Sequence, residues 1–192
     1  GTGNDIIEGG TGNDQVDGGN DSDAFIYTVG DGVDVIDGGD GDDSLALAGD
    51  AAINTLAINA VGPAAQITLN GTSSLYTNLE VIEALVGDGD DTITVADLTD
   101  TPVRLVHLGL GTTGADTDLV TLEGTEGSDD VSITTESGLV SVTGLAAEFD
   151  IESAVTADGD TLTVSGNAGD DQIKAVDGVE NTIGITLNGG LG

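Results

Sequence analysis

The sequence predicts an all-β protein built by repetition, and three observations carry that prediction. Short phrases of glycine with Asn or Asp, followed by alternating aliphatics, recur along the 192 residues. Gly, Asp, Asn and Thr interrupt every window before a helical period of two turns accumulates. The interior can be made only of Val, Ile, Leu and Ala, because Phe25, Phe149, Tyr27 and Tyr76 are the only aromatics and Trp, Met and Cys are missing. Such side chains suit a thin, stacked core better than a thick globule.

The first elements follow from the repeat. Aligned on aspartates, the opening reads GTGNDIIE (1–8), GGTGNDQVD (9–17), GGNDSDAFI (18–26), VGDGVDVID (29–37) and GGDGDDSLA (38–46). The sixth place holds Asp5, Asp14, Asp23, Asp34 and Asp43; the eighth is Ile7, Val16, Phe25, Ile36 and Leu45. Glycines at the first, second and fourth places permit positive φ and a tight turn whose carbonyl oxygens can converge on one point. The sixth-place Asp brings a charged oxygen to that point. The remaining residues run extended, with the eighth side chain turned inward. A strand of about three residues cannot stand alone, so successive units must stack.

Charge narrows the function classes. Thirty-six acids face only Arg104 and Lys174, a formal net charge of -34. That balance excludes nucleic acid, which needs basic side chains opposite its phosphates. Self-repulsion on this scale opposes compaction unless something cationic joins the fold, and hard cations with carboxylate ligands are the natural candidates. The lack of cysteine removes disulfides and thiolate metal sites. No apolar run approaches the roughly 18 residues of a membrane span. With neither an initiator Met nor a basic, apolar leader at its start, the chain is expected to be a soluble piece of something longer.

The five phrases resemble the glycine-rich nonapeptide repeats of the repeats-in-toxin, or haemolysin-type, calcium-binding family. That resemblance implies a right-handed parallel β-roll with two nonapeptides per turn, and calcium between neighbouring coils, held by turn carbonyls and the sixth-place Asp. Carried onto this chain, the ligand groups are Gly1, Gly3 and Asp5; Gly10, Gly12 and Asp14; Gly18, Asn20 and Asp23; Gly30, Gly32 and Asp34; and Gly38, Asp40 and Asp43. The units of Asp5, Asp23 and Asp43 would share one side, and those of Asp14 and Asp34 the other. Asp21 replaces the fourth-place glycine and Val29 the first-place one, departures from the family pattern.

The nonapeptide region is read as residues 1–49, and residues 50–192 as a continuing β-solenoid array with sparse acidic turns. VGDGDDTIT (86–94), GTEGSDDVS (124–132) and GNAGDDQIK (166–174) repeat the turn, with Asp91, Asp129 and Asp171 in sixth place as further metal ligands. Between them lie alternating phrases at 55–59, 66–70, 104–108, 140–144, 161–165 and 184–188 that read as strands. This part resembles the linking arrays of large secreted bacterial calcium-binding repeat proteins. A β-sandwich is the alternative for residues 50–192, since regularly spaced strands also suit one.

Other motifs have blander readings. GLGTTG (109–114) is a formal G-x-G-x-x-G, but turn and strand follow where a dinucleotide site needs a helix. His107 is the single histidine, on the face of its strand opposite Val106 and Leu108, with no nucleophile matched to it. The acid pairs Asp42–Asp43, Asp90–Asp91 and Asp170–Asp171 recur in every acidic turn, as cation ligation requires and catalysis does not. The matches NDS and NGT to glycosylation sequons carry little weight in a chain so rich in Asn and Thr.

The expected function is therefore not enzymatic. Calcium would set the chain into a rod outside the cell, as a structural segment of a secreted or cell-surface repeat protein of surface-layer, adhesin or filament type. Its partners would be calcium ions and neighbouring repeats or copies of itself. The alternative is a calcium-binding export module of a secreted enzyme or toxin.

Overall fold

A computed structural model describes residues 1–111 and 116–190. In chain order the strands are β1 (Ile6–Glu8), β2 (Gln15–Asn20), β3 (Ala24–Thr28), β4 (Val35–Asp40), β5 (Ser44–Ala48), β6 (Thr55–Val61), β7 (Ala64–Leu69), β8 (Thr72–Thr77) and β9 (Val81–Leu85). They continue as β10 (Thr92–Val95), β11 (Leu105–Gly109), β12 (Leu119–Glu123), β13 (Asp130–Glu136), β14 (Leu139–Thr143), β15 (Glu148–Glu152), β16 (Thr161–Ser165), β17 (Gln172–Ala175) and β18 (Gly184–Asn188). The one helical element among the described residues is a 3-10 turn at Val179–Asn181.

The protein is all-β, with two mixed sheets of nine strands each. One has the order β1-β3-β5-β9-β11-β15-β14-β13-β17; the other runs β18-β16-β12-β10-β6-β7-β8-β4-β2. Successive strands of the opening alternate between the sheets, and each pairs in parallel with the next member of its own sheet. Ile7 aligns with Phe25, Phe25 with Leu45 and Leu45 with Ile82; in the other sheet Val16 aligns with Ile36, and Ile36 with Tyr76. The eighth-place side chains therefore stack in columns. Both sheets contribute to one continuous core of mainly Val, Ile and Leu, and both continue across residues 49 and 50 through β5–β9 and β4–β8.

Antiparallel strands enter where sequence reading expected parallel continuation. The meander β6-β7-β8 sits in one sheet and β13-β14-β15 in the other. In each, the chain steps ahead, folds back twice, and leaves outer strands that pair in parallel with their neighbours: β8 with β4, β6 with β10, β15 with β11 and β13 with β17. The cause is turn chemistry. Asn70–Gly71 (φ 51 and 84) and Ser137–Gly138 (φ 54 and 88) hold positive φ at both central residues, the requirement of a type I′ hairpin. Gly62, with φ 59 ahead of Pro63, turns β6 into β7.

Candidate metal centre

Each sixth-place Asp lies immediately before a strand, and parallel pairing stacks these residues into rows. Within a row the backbone N–H of one residue donates to the carboxylate of the next. Asp5 donates to Asp23 Oδ1 (2.8 Å), Asp23 to Asp43 Oδ1 (2.7 Å) and Asp43 to Glu80 Oε2 (2.7 Å). In the other sheet Asp14 donates to Asp34 Oδ1 (2.9 Å) and Asp34 to Ser74 Oγ (2.9 Å). A further row runs from Asn54 to Asp91 (2.6 Å), Asp91 to Asp118 (2.9 Å) and Asp118 to Asp160 (2.9 Å). Asp129 donates to Asp171 (2.9 Å).

Every row carboxylate except those of Asp5, Asp14 and Asp129, which head their rows, thereby has one oxygen used, and the other is frequently stranded. Oδ2 of Asp14, Asp23, Asp43, Asp91, Asp118 and Asp171 is buried with no hydrogen-bond partner. Asp43, Asp91 and Asp118 are wholly buried. A buried carboxylate without a partner is unfavourable by several kcal/mol unless a proton or a cation joins it. Burial, the leading cause in each case, pushes Asp91 up to about 6 and Asp118 up to about 7, and raises Asp43 above the usual carboxylate range; nearby acids push the same way.

The glycine turn makes the space. Second-place Gly10, Gly19, Gly30 and Gly39 and fourth-place Gly3, Gly12, Gly32 and Gly41 all have positive φ, with Asp21 following at φ 71. First-place glycines do not share it, which corrects one sequence expectation. They are required by close approach instead: a Cβ on Gly18 would collide with Asp23 Oδ2 and the Gly38 carbonyl, and one on Gly38 with Asp43 Oδ2 and the Asn78 carbonyl. Gly124 and Gly166 stand in the same relation to Asp129 and Asp171.

Asn54 shows what these turns accept at their centre. It occupies an Asp place in the row, and its side-chain amide nitrogen lies 3.0 Å from the Asp50 carbonyl, 2.8 Å from that of Ala52, 2.9 Å from that of Val86 and 3.3 Å from Asp91 Oδ1. Four oxygens thus surround one electropositive group. Two of the three ring carbonyls lie four and two residues before Asn54; the same places are held by Gly1 and Gly3 before Asp5, Gly10 and Gly12 before Asp14, and Gly30 and Gly32 before Asp34. Peptide carbonyls with one carboxylate are a hard oxygen set of the kind calcium takes. Among the described residues, no three His, Cys, Asp or Glu side chains gather as a metal-holding group, so any such centre relies on main-chain oxygens.

The remaining predicted residues are placed differently. Gly32 already receives the Tyr27 hydroxyl (3.0 Å) and the Ser74 hydroxyl (3.4 Å) on its carbonyl. Asn20 and Asp40 pair at exposed strand ends. Asp129 Oδ2 accepts the Thr125 N–H (2.9 Å). Sequence reading missed Asn54, Ser74, Glu80, Asp118 and Asp160. Asp118 and Asp160 share a signal with the others, an Asp two residues before the first of two alternating buried aliphatics: Val120 and Leu122, Leu162 and Val164. His107 lies 3.4 Å from Glu152 on the outer face, with Val106 and Leu108 buried. Residues 112–114 of GLGTTG lie outside the described residues. No protein-family model, curated protein or solved structure matches this chain.

Proposed function

We propose that the chain is a calcium-dependent structural segment of a large secreted or cell-surface bacterial repeat protein, its two sheets forming the walls of a right-handed parallel β-roll that the meanders interrupt. The observation that carries this reading is the set of buried, unpartnered carboxylate oxygens beneath glycine turns, beside one position where the Asn54 amide fills the same kind of oxygen ring. In the proposed centres Asp14, Asp23, Asp43, Asp91 and Asp171 supply the carboxylate and the preceding turn supplies carbonyls. A bound calcium ion neutralises the stacked acids that otherwise repel one another. The proposed role is structural, with nothing catalytic assigned to His107 or the acid pairs.

The test is calorimetric titration with calcium alongside far-ultraviolet circular dichroism. Several ions bound per chain are expected, with β signal and melting temperature falling in excess chelator. An identical spectrum and melting curve with calcium and with chelator would contradict the proposal.

A further inference from the structure

Tyr27 and Thr28 stand between the third and fourth nonapeptides, and nothing in the repeat calls for them. In the structure they rebuild the turn that follows. Thr28 occupies both carboxylate oxygens of Asp31, its N–H donating to Oδ2 (2.7 Å) and its hydroxyl to Oδ1 (3.0 Å), and the Asp31 N–H returns to the Thr28 carbonyl (3.1 Å). Tyr27 shares the inward face of β3 with Phe25, and its hydroxyl donates to the Gly32 carbonyl (3.0 Å). Ser74 Oγ donates to the same carbonyl (3.4 Å) while accepting the Asp34 N–H (2.9 Å). Tyr27 and Ser74 are 3% and 1% exposed, so these bonds are made out of reach of solvent.

The Asn54 ring shows what the turn of Asp34 lacks. That ring takes carbonyls four and two residues before its centre, the carbonyl five residues before the next row member, and that member's carboxylate. Around Asp34 the corresponding groups are the carbonyls of Gly30, Gly32 and Leu69 and the side chain of Ser74. The Gly32 carbonyl has two lone pairs and already receives two hydroxyl donors. Leu69 belongs to β7 and is held in the meander by its pairing with Leu56 and Thr72. Ser74 is in register with Asp34, because Tyr76 aligns with Ile36, and it brings a neutral hydroxyl where Asp14, Asp23, Asp43 and Asp91 are each followed by a carboxylate. The buried, unpartnered Oδ2 of Asp14, Asp23 and Asp43 has no counterpart at Asp34, although Asp34 is only 3% exposed. A divalent ion at this turn would displace two hydroxyls and find no second carboxylate.

We infer that the Tyr27 and Ser74 hydroxyls close the turn of Asp34 against divalent cations, and that Ser74 decides where the metal-binding row of its sheet ends. The inference rests on the calcium centres proposed above. It removes Gly30, Gly32 and Asp34 from the ligand groups that the nonapeptide resemblance implies.

Two measurements test it. In crystals of the 192-residue chain grown in millimolar calcium, the Gly32 carbonyl should keep the Tyr27 hydroxyl and carry no ion; an ion bonded to that carbonyl overturns the inference. Calorimetric titration with calcium compares the native chain with Tyr27→Phe and with the double variant Tyr27→Phe, Ser74→Asp. Tyr27→Phe alone should add no ion and should lower the melting temperature in excess chelator by about 2 to 4 °C, the loss of roughly one hydrogen bond. The double variant frees the carbonyl and supplies a carboxylate, so it should bind one more calcium ion per chain. A folded double variant that binds the native number of ions overturns the inference, as does an unchanged melting temperature of Tyr27→Phe in chelator. A native chain that binds no calcium contradicts the calcium reading; one ion gained by the double variant then keeps the exclusion standing, and none gained removes it.

Discussion

Gly38 and Gly10 carry the same absent side chain and answer to different constraints. Gly38 has no positive φ, but a Cβ there would collide with the Asn78 carbonyl and Asp43 Oδ2; a Cβ on Gly10 would meet nothing within 4 Å, so Gly10 is needed only for its φ of 77. Gly38→Ala should therefore cost about 3 kcal/mol by overpacking, and Gly10→Ala about 1 kcal/mol from backbone strain alone, an order that denaturant titration in calcium would reveal. Asn54 gives a second residue-scale prediction. Asn54→Asp removes the amide from its ring of carbonyls; it should destabilise the metal-free protein by about 3 kcal/mol and add one bound calcium per chain in calorimetry. A third concerns pH. Asp118 and Asp91 bind protons more readily folded than unfolded, with values of about 7 and 6. The folded state thus holds extra protons between their unfolded and folded values, and stability falls as pH rises through that window. The metal-free melting temperature should climb as pH is lowered from about 8 to about 5; a fall would contradict the burial of these acids.

At the scale of elements, the repeat was readable because its physics is local. An alternation of inward and outward side chains predicted the strands at 161–165 and 184–188 to the residue, and the stacking of eighth-place aliphatics follows from units too short to bury themselves. The meanders were not read. The signal of the first is the Asn70–Gly71 pair, which also fits a glycosylation sequon but between alternating strands is a strong hairpin signal; the second turns at the less distinctive Ser137–Gly138. Asn70 also accepts the Thr55 N–H (2.8 Å) and donates to Asn54 Oδ1 (3.1 Å), fastening β7 to the start of β6. Asn70→Ala should therefore cost about 2 kcal/mol, more than Gly71→Ala, whose Cβ meets nothing within 4 Å; denaturant midpoints of the two variants would show the order. Asp118 and Asp160 escaped notice for a related reason: neither follows a glycine turn of the nonapeptide form, so only their place before a strand identifies them.

For the whole molecule, the charge balance and the fold pose one problem. Rows of carboxylates run beside the core, with just Arg104 and Lys174 as basic side chains, and those two form exposed pairs with Asp42 (3.0 Å) and Asp130 (3.5 Å). Such exposed pairs contribute little to stability. Calcium at ten times its dissociation constant adds about 1.4 kcal/mol per site, so about five sites would supply roughly 7 kcal/mol, comparable with the net stability of a domain. The excess of acids over bases is legible in the composition, while the alignment of donors into rows requires the parallel register and is beyond a linear reading. The most direct measurement is a high-resolution crystal structure grown in millimolar calcium. It should show density bonded to Oδ2 of Asp23 and Asp43 at about 2.3 to 2.6 Å, with turn carbonyls completing the shell. Well-ordered turns with those oxygens protonated or bound only to water would contradict the account.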